Sequence, residues 1–388
     1  MTPSTSIPFS RPTRTASEEA YLRQVLASGL LGGNGPFTGR VERLLETEFG
    51  GSPCLLTSSC THALEMAAFL LDIGPGDEVV VPSFTFVSTA NAFAVRGAKP
   101  VFADVRPDTL NVDPDSIAEK IGPRTKAVVL VHYAGVACDM DAVTTALGDR
   151  EVAVVEDNAH GLFGRHRGRP LGTFGALAVQ SFHATKNFSC GEGGALVLND
   201  RRHLARAEIL REKGTNRRAF FRGDVDKYTW VDEGSSYLPS ELQAAVLLAQ
   251  LEEREEIQAR RAELFRSYER CLAPWAALHG VSLPHVPRYA DSAHHFFHML
   301  MPTAGDRDAL LAHLREQGVQ ATFHYVPLHA SPMGRHLGVA QGDCPVTEDV
   351  SERLIRLPFF TALTPDEQTM VIDLVTRFTP AGPSGGSR

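Results

Sequence analysis

Lys186 sits where lysine is hard to place. An apolar, strand-like run, ALAVQSF, precedes it, and a glycine-rich turn, CGEGG, follows it. Such a neighbourhood reads as interior, where lysine is rare unless paired. A partly desolvated amine has a lowered pKa and attacks carbonyl carbons. Upstream, VVEDNAH delivers Glu156, Asp157 and His160 just past another apolar run. A carboxylate there is costly without a partner. It could bind a metal, orient a histidine or pair with a protonated heterocyclic nitrogen. Ser58, Ser59, Cys60 and Thr61 lie between a strand end and a helix. Free N–H groups and the helix dipole make that place attractive to an anion. Phe86, in VVPSFTF, follows one more strand end and could stack on a flat ring. Each has a plainer role when taken alone: helix caps for the hydroxyls, core packing for Phe86, a turn cap for Asp157, a surface position for Lys186. Together they offer a nucleophilic amine, an acid and an anion cup, which are the needs of pyridoxal phosphate (PLP).

These groups need a scaffold, and the pattern around them supplies one. ASEEAYLRQVLASG reads as an amphipathic helix ending at Gly29, and LLGGNGPFTG as a loop. Thr38 is expected to cap the next helix, GRVERLLETEF. From about residue 53, short β-branched runs (DEVVVPSF, KPVFADV, KAVVLVHY, VAVVED, ALAVQSFH, GGALVLN) alternate with helical segments such as CTHALEMAAFLLDIG, VSTANAFAVRG and LARAEILREKG. Strands alternating with helices imply a mostly parallel sheet covered on both faces. Such sheets hold ligands beyond the carboxyl ends of their strands. SELQAAVLLAQLEEREEIQARRAELFRSYERCLAPW reads as one long helix. After it come a strand (HHFFHMLMP), a helix (DRDALLAHLREQG), a strand (VQATFHYVP) and a helix capped by Thr364. The expected fold is α/β. A large domain spans residues 1–250, a smaller α+β domain residues 251–380, and a disordered tail residues 381–388.

Composition narrows the function classes. The formal net charge is −8, against the basic footprint of general nucleic-acid binding. The six cysteines show no CxxC spacing, so neither a structural zinc site nor a disulfide framework is expected, and no metal is assigned. The N-terminal residues lack the apolar core of a signal peptide, and no run approaches a membrane span. A cytoplasmic location is expected.

The segment EDNAHGLFGRHRGRPLGTFGALAVQSFHATKNFSCGEGGALVLND closely resembles the cofactor core of the DegT/DnrJ/EryC1/StrS sugar aminotransferase family. LLTSSCTHALEMAAFLLDIGPGDEVVVPSFTFVSTANAFAVRGAKPVFADVRPDTLN, REKGTNRRAFFRGDVDKYTWVDEGSSYLPSELQAA and FHYVPLH resemble its dTDP-4-amino-4,6-dideoxygalactose transaminase branch. The resemblance implies a fold-type I PLP enzyme acting as a homodimer with active sites at the subunit interface. It implies that Lys186 carries the cofactor as a Schiff base and that Asp157 pairs with the pyridinium nitrogen. His160 takes the place that contacts the ring hydroxyl, and Phe86 the stacking place. Cys60, Thr61 and Ser181 hold the phosphate. Asn34, His324 and His329 fall in segments that approach the sugar nucleotide. Arg217, Arg218 and Arg222 are candidates for its diphosphate, or else form a solvated basic loop. Many relatives carry an asparagine that reaches the partner's phosphate. Here GSSYLPSEL places Leu238 at that position, with Ser236 or Tyr237 as its substitute. Lys186, rather than the histidine of related dehydratases, favours transamination. The implied reaction takes dTDP-4-keto-6-deoxy-D-glucose and L-glutamate to a dTDP-4-amino-4,6-dideoxyhexose and 2-oxoglutarate. Its rivals are transamination at carbon 3 and a non-catalytic PLP-binding regulator.

Overall fold

The computed structural model describes residues 6–338 and 342–382. Five apolar runs give the first strands of the central sheet: β1 (Cys54–Thr57), β2 (Glu78–Pro82), β3 (Lys99–Ala103), β4 (Thr125–Val131) and β5 (Ala153–Asp157). Two short strands, β6 (Arg165–His166) and β7 (Arg169–Pro170), form a separate hairpin, and β8 (Leu177–Ser181) and β9 (Gly194–Leu198) complete the sheet. Its order is β1-β9-β8-β5-β4-β2-β3. Neighbours from β8 to β3 pair parallel, and β9 runs antiparallel to both β1 and β8. Side chains alternate across a strand. Val79, Val81, Val129 and Val155 therefore enter one core, and Val80, Val128 and Leu130 enter another. Both faces are apolar, so both must be covered.

Helices cover them. In chain order these are α1 (Glu18–Ser28), α2 (Pro36–Glu48), α3 (Cys60–Leu70), α4 (Ser88–Ala94), α5 (Pro114–Lys120), α6 (Met140–Leu147), α7 (Leu204–Arg211), α8 (Arg217–Arg222) and α9 (Glu241–Glu252). Helices α3, α4 and α7 pack on one face. On the other, α1, α2 and α9 serve the β1–β9 end, and α5 and α6 the β2–β4 end. Gly29 ends α1 with φ 71°, as the sequence suggests. Thr38 does not cap α2. The helix starts earlier, at Pro36, whose fixed φ suits a first turn. A distant acid meets the free N–H groups instead. Glu241 of α9 accepts from Gly35 (3.1 Å), Phe37 (2.7 Å) and Thr38 (3.0 Å), and also from the Thr38 hydroxyl.

The long helix read after Ser240 is two helices. It breaks at Glu253 (φ −95°, ψ 18°) between α9 and α10 (Arg254–His279). Leu247, Leu248 and Leu251 of α9 pack beneath the sheet, whereas Leu264, Tyr268 and Leu272 of α10 pack into the C-terminal core. The two stretches serve different cores, and the axis changes between them. The C-terminal part contains β10 (Ala290–Asp291), which joins β6, and β11 (His298–Leu300). It continues with α11 (Ala304–Glu316), α12 (Pro332–His336), α13 (Pro345–Arg353), β12 (Leu354–Arg356) and α14 (Pro365–Arg377). Strand β11 pairs with β12. VQATFHYVP, expected as a strand, makes, among the described residues, only the isolated bridges Val319–Ile7 and Thr322–Arg356. Thr364 caps α14 with a full capping box, in which Glu367 reciprocates. Ala381, expected in the disordered tail, donates its N–H to Asp306 at 2.7 Å, and residues 383–388 lie outside the described residues. Among the described residues no helix is long and apolar enough to cross a membrane.

Candidate active site

A cavity of about 690 Å³ opens beyond the carboxyl ends of β1, β2, β5 and β8. Lys186, Asp157, His160, Ser181, Cys60, Thr61, Phe86 and His324 all line it. Residues scattered along the sequence thus meet at the crevice a parallel sheet leaves for its ligand.

Lys186 is half-buried in the loop after β8, its N–H bonded to the His183 carbonyl at 2.9 Å. Among the described residues its ammonium makes no hydrogen bond or ion pair. Burial lowers its pKa to about 8. Cys60 and Asp157 pull it back upward, and Arg356 pushes it further down. Asp157 ends β5 and is buried. It accepts from the Thr89 hydroxyl at 2.8 Å and from the Ala159 N–H at 3.2 Å. Burial raises its pKa, with Thr89 and Lys186 acting against the rise. A carboxylate in this state is short of cationic partners, and a protonated ring nitrogen would supply one. Glu156, on the opposite side of the strand, is spoken for. It accepts from His132 (2.9 Å) and from the N–H groups of Gly172, Phe174 and Gly175, so its role is to fix the β5–β8 connection.

His160 stacks on His295 at 4.3 Å between centroids, and its Nδ1 is buried with no partner among the described residues. Burial, then the Lys186 and Arg356 charges, holds its pKa well below the usual value, so the ring is neutral. Cys60 and Thr61 open α3, after Ser59 caps it by accepting from the His62 N–H. The first N–H groups of a helix have no carbonyl partner of their own. Gly194 explains part of the glycine-rich turn. A Cβ there would stand 2.4 Å from the Ser59 carbonyl carbon and 2.5 Å from the Cys60 nitrogen. Only glycine lets β9 lie this close to the start of α3. The amine, the undersupplied acid, the open histidine nitrogen and the helix N-terminus can together accommodate PLP.

The remaining predicted residues divide. Phe86 is 57% exposed over the cavity, so it is not core packing. His324 faces the cavity, its Nδ1 3.0 Å from the Tyr133 hydroxyl. His329 is buried, with Nδ1 2.6 Å from Ser83 and Nε2 2.8 Å from Glu348. Both ring nitrogens are committed, leaving none for a ligand. Asn34 and Arg217 line a different cavity of about 360 Å³ between α2 and α8. Asn34 bonds Glu212 (2.5 Å) and Arg211 (2.8 Å). Arg217 pairs with Glu212 at 3.7 Å, and Arg218 and Arg222 pair with Glu208. The segment read as a loop holds the short helix α8, and acids already meet its arginines. Ser236 is exposed, and Tyr237 is buried against the His62 ring at 4.9 Å; neither lines the Lys186 cavity. Asp139, Asp141 and His166, where no metal was expected, bring ligand atoms within 4.8 Å of one another, though Asp141 already pairs with Arg167 at 2.8 Å.

Sequence reasoning passed over Thr89, which holds Asp157, and Ser88, which is 2.8 Å from the Thr61 hydroxyl. It also passed over His295 and Arg356, which line the cavity. Arg356 carried a signal of the same kind as Lys186: a cation inside an apolar run, LIRLPFF.

Comparison with known proteins agrees with this geometry. The DegT/DnrJ/EryC1/StrS aminotransferase family matches residues 12–376. The aminotransferase TlmJ from Streptoalloteichus hindustanus is 36% identical and superposes with a TM-score of 0.88, over 96% of this chain and 98% of that one. The sugar aminotransferase CalS13 from Micromonospora echinospora is 28% identical with a TM-score of 0.85, over 95% and 99%. The PLP form of Spr1654 from Streptococcus pneumoniae is 26% identical with a TM-score of 0.86, over 95% and 97%. With the match running through both cores and through the loop that carries Lys186, the chain belongs to the DegT/DnrJ/EryC1/StrS aminotransferase family and is a PLP-dependent aminotransferase.

Proposed function

We propose that the enzyme moves an amino group from L-glutamate to carbon 4 of dTDP-4-keto-6-deoxy-D-glucose. The products are a dTDP-4-amino-4,6-dideoxyhexose and 2-oxoglutarate, and the enzyme works as a cytoplasmic homodimer with shared active sites. The observation that carries the transfer chemistry is the convergence of Lys186, Asp157 and the α3 N-terminus on one cavity. The dideoxygalactose-branch motifs and the likeness to a sugar aminotransferase support the sugar acceptor.

When bound, PLP supplies an aldehyde that takes up the amino group and a ring that holds the electrons left by the departing α-proton. The chain's own residues do the rest. Asp157 keeps negative charge at the ring-nitrogen end. Lys186 Nζ, with a pKa near 8, holds the α-proton and returns it, being poised near the working pH. Cys60, Thr61 and Ser181 are assigned the phosphate, Phe86 the stacking face and His160 Nδ1 the ring hydroxyl. His324 offers a neutral edge to sugar hydroxyls. His329 acts indirectly, tying its own segment to Ser83. Asn34, Arg217 and Ser236 are assigned to the partner's site, because on their own chain they line no part of the Lys186 cavity, while Tyr237, buried against His62, braces their segment instead of reaching across.

NMR of the product made from dTDP-4-keto-6-deoxyglucose and L-glutamate should place nitrogen at carbon 4, in the galacto or gluco configuration. Faster turnover of the 3-keto isomer would overturn the carbon assignment. Lys186→Ala should abolish turnover and the visible cofactor band, and a band that persists unchanged in the variant would remove Lys186 from its role.

A further inference from the structure

His160 shares the cavity with Lys186, and its Nδ1 is buried with no partner among the described residues, so no bond there sets its ring plane. A histidine ring turns about a broad, roughly two-fold torsion, so a neighbour must fix that plane. His295 does. The two rings lie 4.3 Å apart between centroids and 25° from parallel. Phe296 adds an edge-on contact to His160 at 5.5 Å.

His295 also lines the cavity and is itself pinned at three points. Its N–H donates to the Ala134 carbonyl at 3.1 Å, and its carbonyl accepts from Arg261 of α10. Its Nδ1 is 2.8 Å from Asn187 Oδ1. Asn187 Nδ2 donates to the Ala293 carbonyl at 2.7 Å and to Gln258 at 3.3 Å, which leaves Oδ1 as the acceptor. His295 Nδ1 therefore carries the proton. Burial, then the His160 ring and the charges of Lys186, Arg261 and Arg356, holds the His295 pKa well below the usual value, so the ring stays neutral. Asn187 follows Lys186 in the chain and is 5% exposed. A buried amide oxygen without a donor is costly, so His295 completes the segment that carries the amine.

We propose that His295 is a positioning residue of the transamination site, holding His160 through the stack and Lys186 through Asn187. The inference rests on the assignment of those two residues to PLP, and adds the part that sets their relative placement.

The test separates the two arms with His295→Phe and His295→Asn. Phenylalanine keeps a flat face for His160 and loses the donor to Asn187. Asparagine puts an amide N–H where Nδ1 stood and loses the stack. PLP capture by apoprotein is followed by stopped-flow absorbance, and the visible cofactor band of the holoenzyme is titrated with pH. His295→Phe should slow capture about 5- to 10-fold, the loss of one buried hydrogen bond beside Lys186. Its band midpoint should match the wild type. His295→Asn should capture PLP at close to the wild-type rate. Its midpoint should rise by about 0.5 to 1 pH unit, because a loosened His160 lets the ring oxygen hold a proton more tightly. Variants that melt earlier but keep the wild-type capture rate and midpoint would make His295 a core residue only and overturn the proposal. Nitrogen-15 histidine NMR of the wild-type holoenzyme should show His295 neutral, with its proton on Nδ1, from about pH 6 to about pH 9. A charged ring, or a proton on Nε2, would overturn the proposal even if both variants misfold. No donor or sugar enters these measurements, so an error in the proposed substrates leaves them intact. An error in the Lys186 assignment shows separately, as a band that persists in Lys186→Ala.

Discussion

The odd lysine has a physical consequence that can be measured before any substrate is added. Burial takes the Lys186 amine from 10.5 to about 8, and only the neutral amine attacks an aldehyde. The folded value is depressed, so the neutral form dominates above about pH 8 and declines about tenfold per unit below it. Capture of PLP by apoprotein, followed by stopped-flow absorbance, should therefore speed up with that slope from about pH 6 and level off above about pH 8. A rate still climbing tenfold from pH 8.5 to 9.5 would mean an ordinary lysine and would sink the desolvation reading. Lys186 and Asp157 were legible in the sequence because each is a charge set against an apolar run, a signal carried within a few residues. His329 was not legible as a committed residue. Its partner Ser83 lies 246 positions away, and no local pattern shows that both ring nitrogens are used. Thr89 escaped for the same reason, since the carboxylate it serves is 68 positions further on.

At the scale of elements, the sequence made the strands plain. β-branched apolar runs of this length have few other places to go. It was less informative where one element's end is finished by another element. Helix α2 starts where Glu241 from α9 can receive its N–H groups, so the local candidate Thr38 lost its expected role. The Glu253 break depends on which core each half meets, and composition does not encode that. The β9–α3 contact is the element-level feature most closely tied to the site. In Gly194→Ala the new methyl would meet backbone at 2.4 Å, so α3 must shift at its N-terminus. The expected cost is about 1–3 kcal/mol of stability, as for other overpacked positions, read from thermal melts of the apoprotein. Because the displaced N–H groups are those assigned to the phosphate, PLP affinity should fall as well. A variant that melts earlier yet binds PLP as tightly as wild type would remove the α3 N-terminus from the phosphate role.

Over the whole molecule, the sequence reading reached an α/β aminotransferase architecture and, through the resemblance, an expected homodimer, but not the apolar side chains of the proposed partner surface. The structure exposes large apolar side chains on the segments bordering the second cavity. Phe221, which lines it, is 71% exposed, Leu30 and Leu31 on the loop that leads into Asn34 are 58% and 46% exposed, and Trp230, bridged to Thr215 ahead of α8, is 77% exposed. Large exposed apolar patches mark interaction surfaces in soluble proteins. A second copy suits this one, since the same borders carry Asn34 and Arg217, proposed ligand groups that line a different cavity from Lys186 on their own chain. In a two-fold dimer the same patch serves both subunits. The consequence is genetic as well as structural. Lys186→Ala removes the amine from one site, and Arg217→Ala removes a residue supplied to the site across the interface. Each homodimer should then have two damaged sites. A mixed dimer pairs the intact Lys186 of one chain with the intact Arg217 of the other and so regains one whole site. Unfolding and refolding an equimolar mixture should restore roughly a quarter of the wild-type sites, by random pairing of subunits. Recovery is read as turnover after separate controls show the Lys186→Ala homodimer inactive and the Arg217→Ala homodimer impaired. If the mixture does no better than the mean of its two parents, Arg217 acts within its own chain or not at all, and the shared-site arrangement fails.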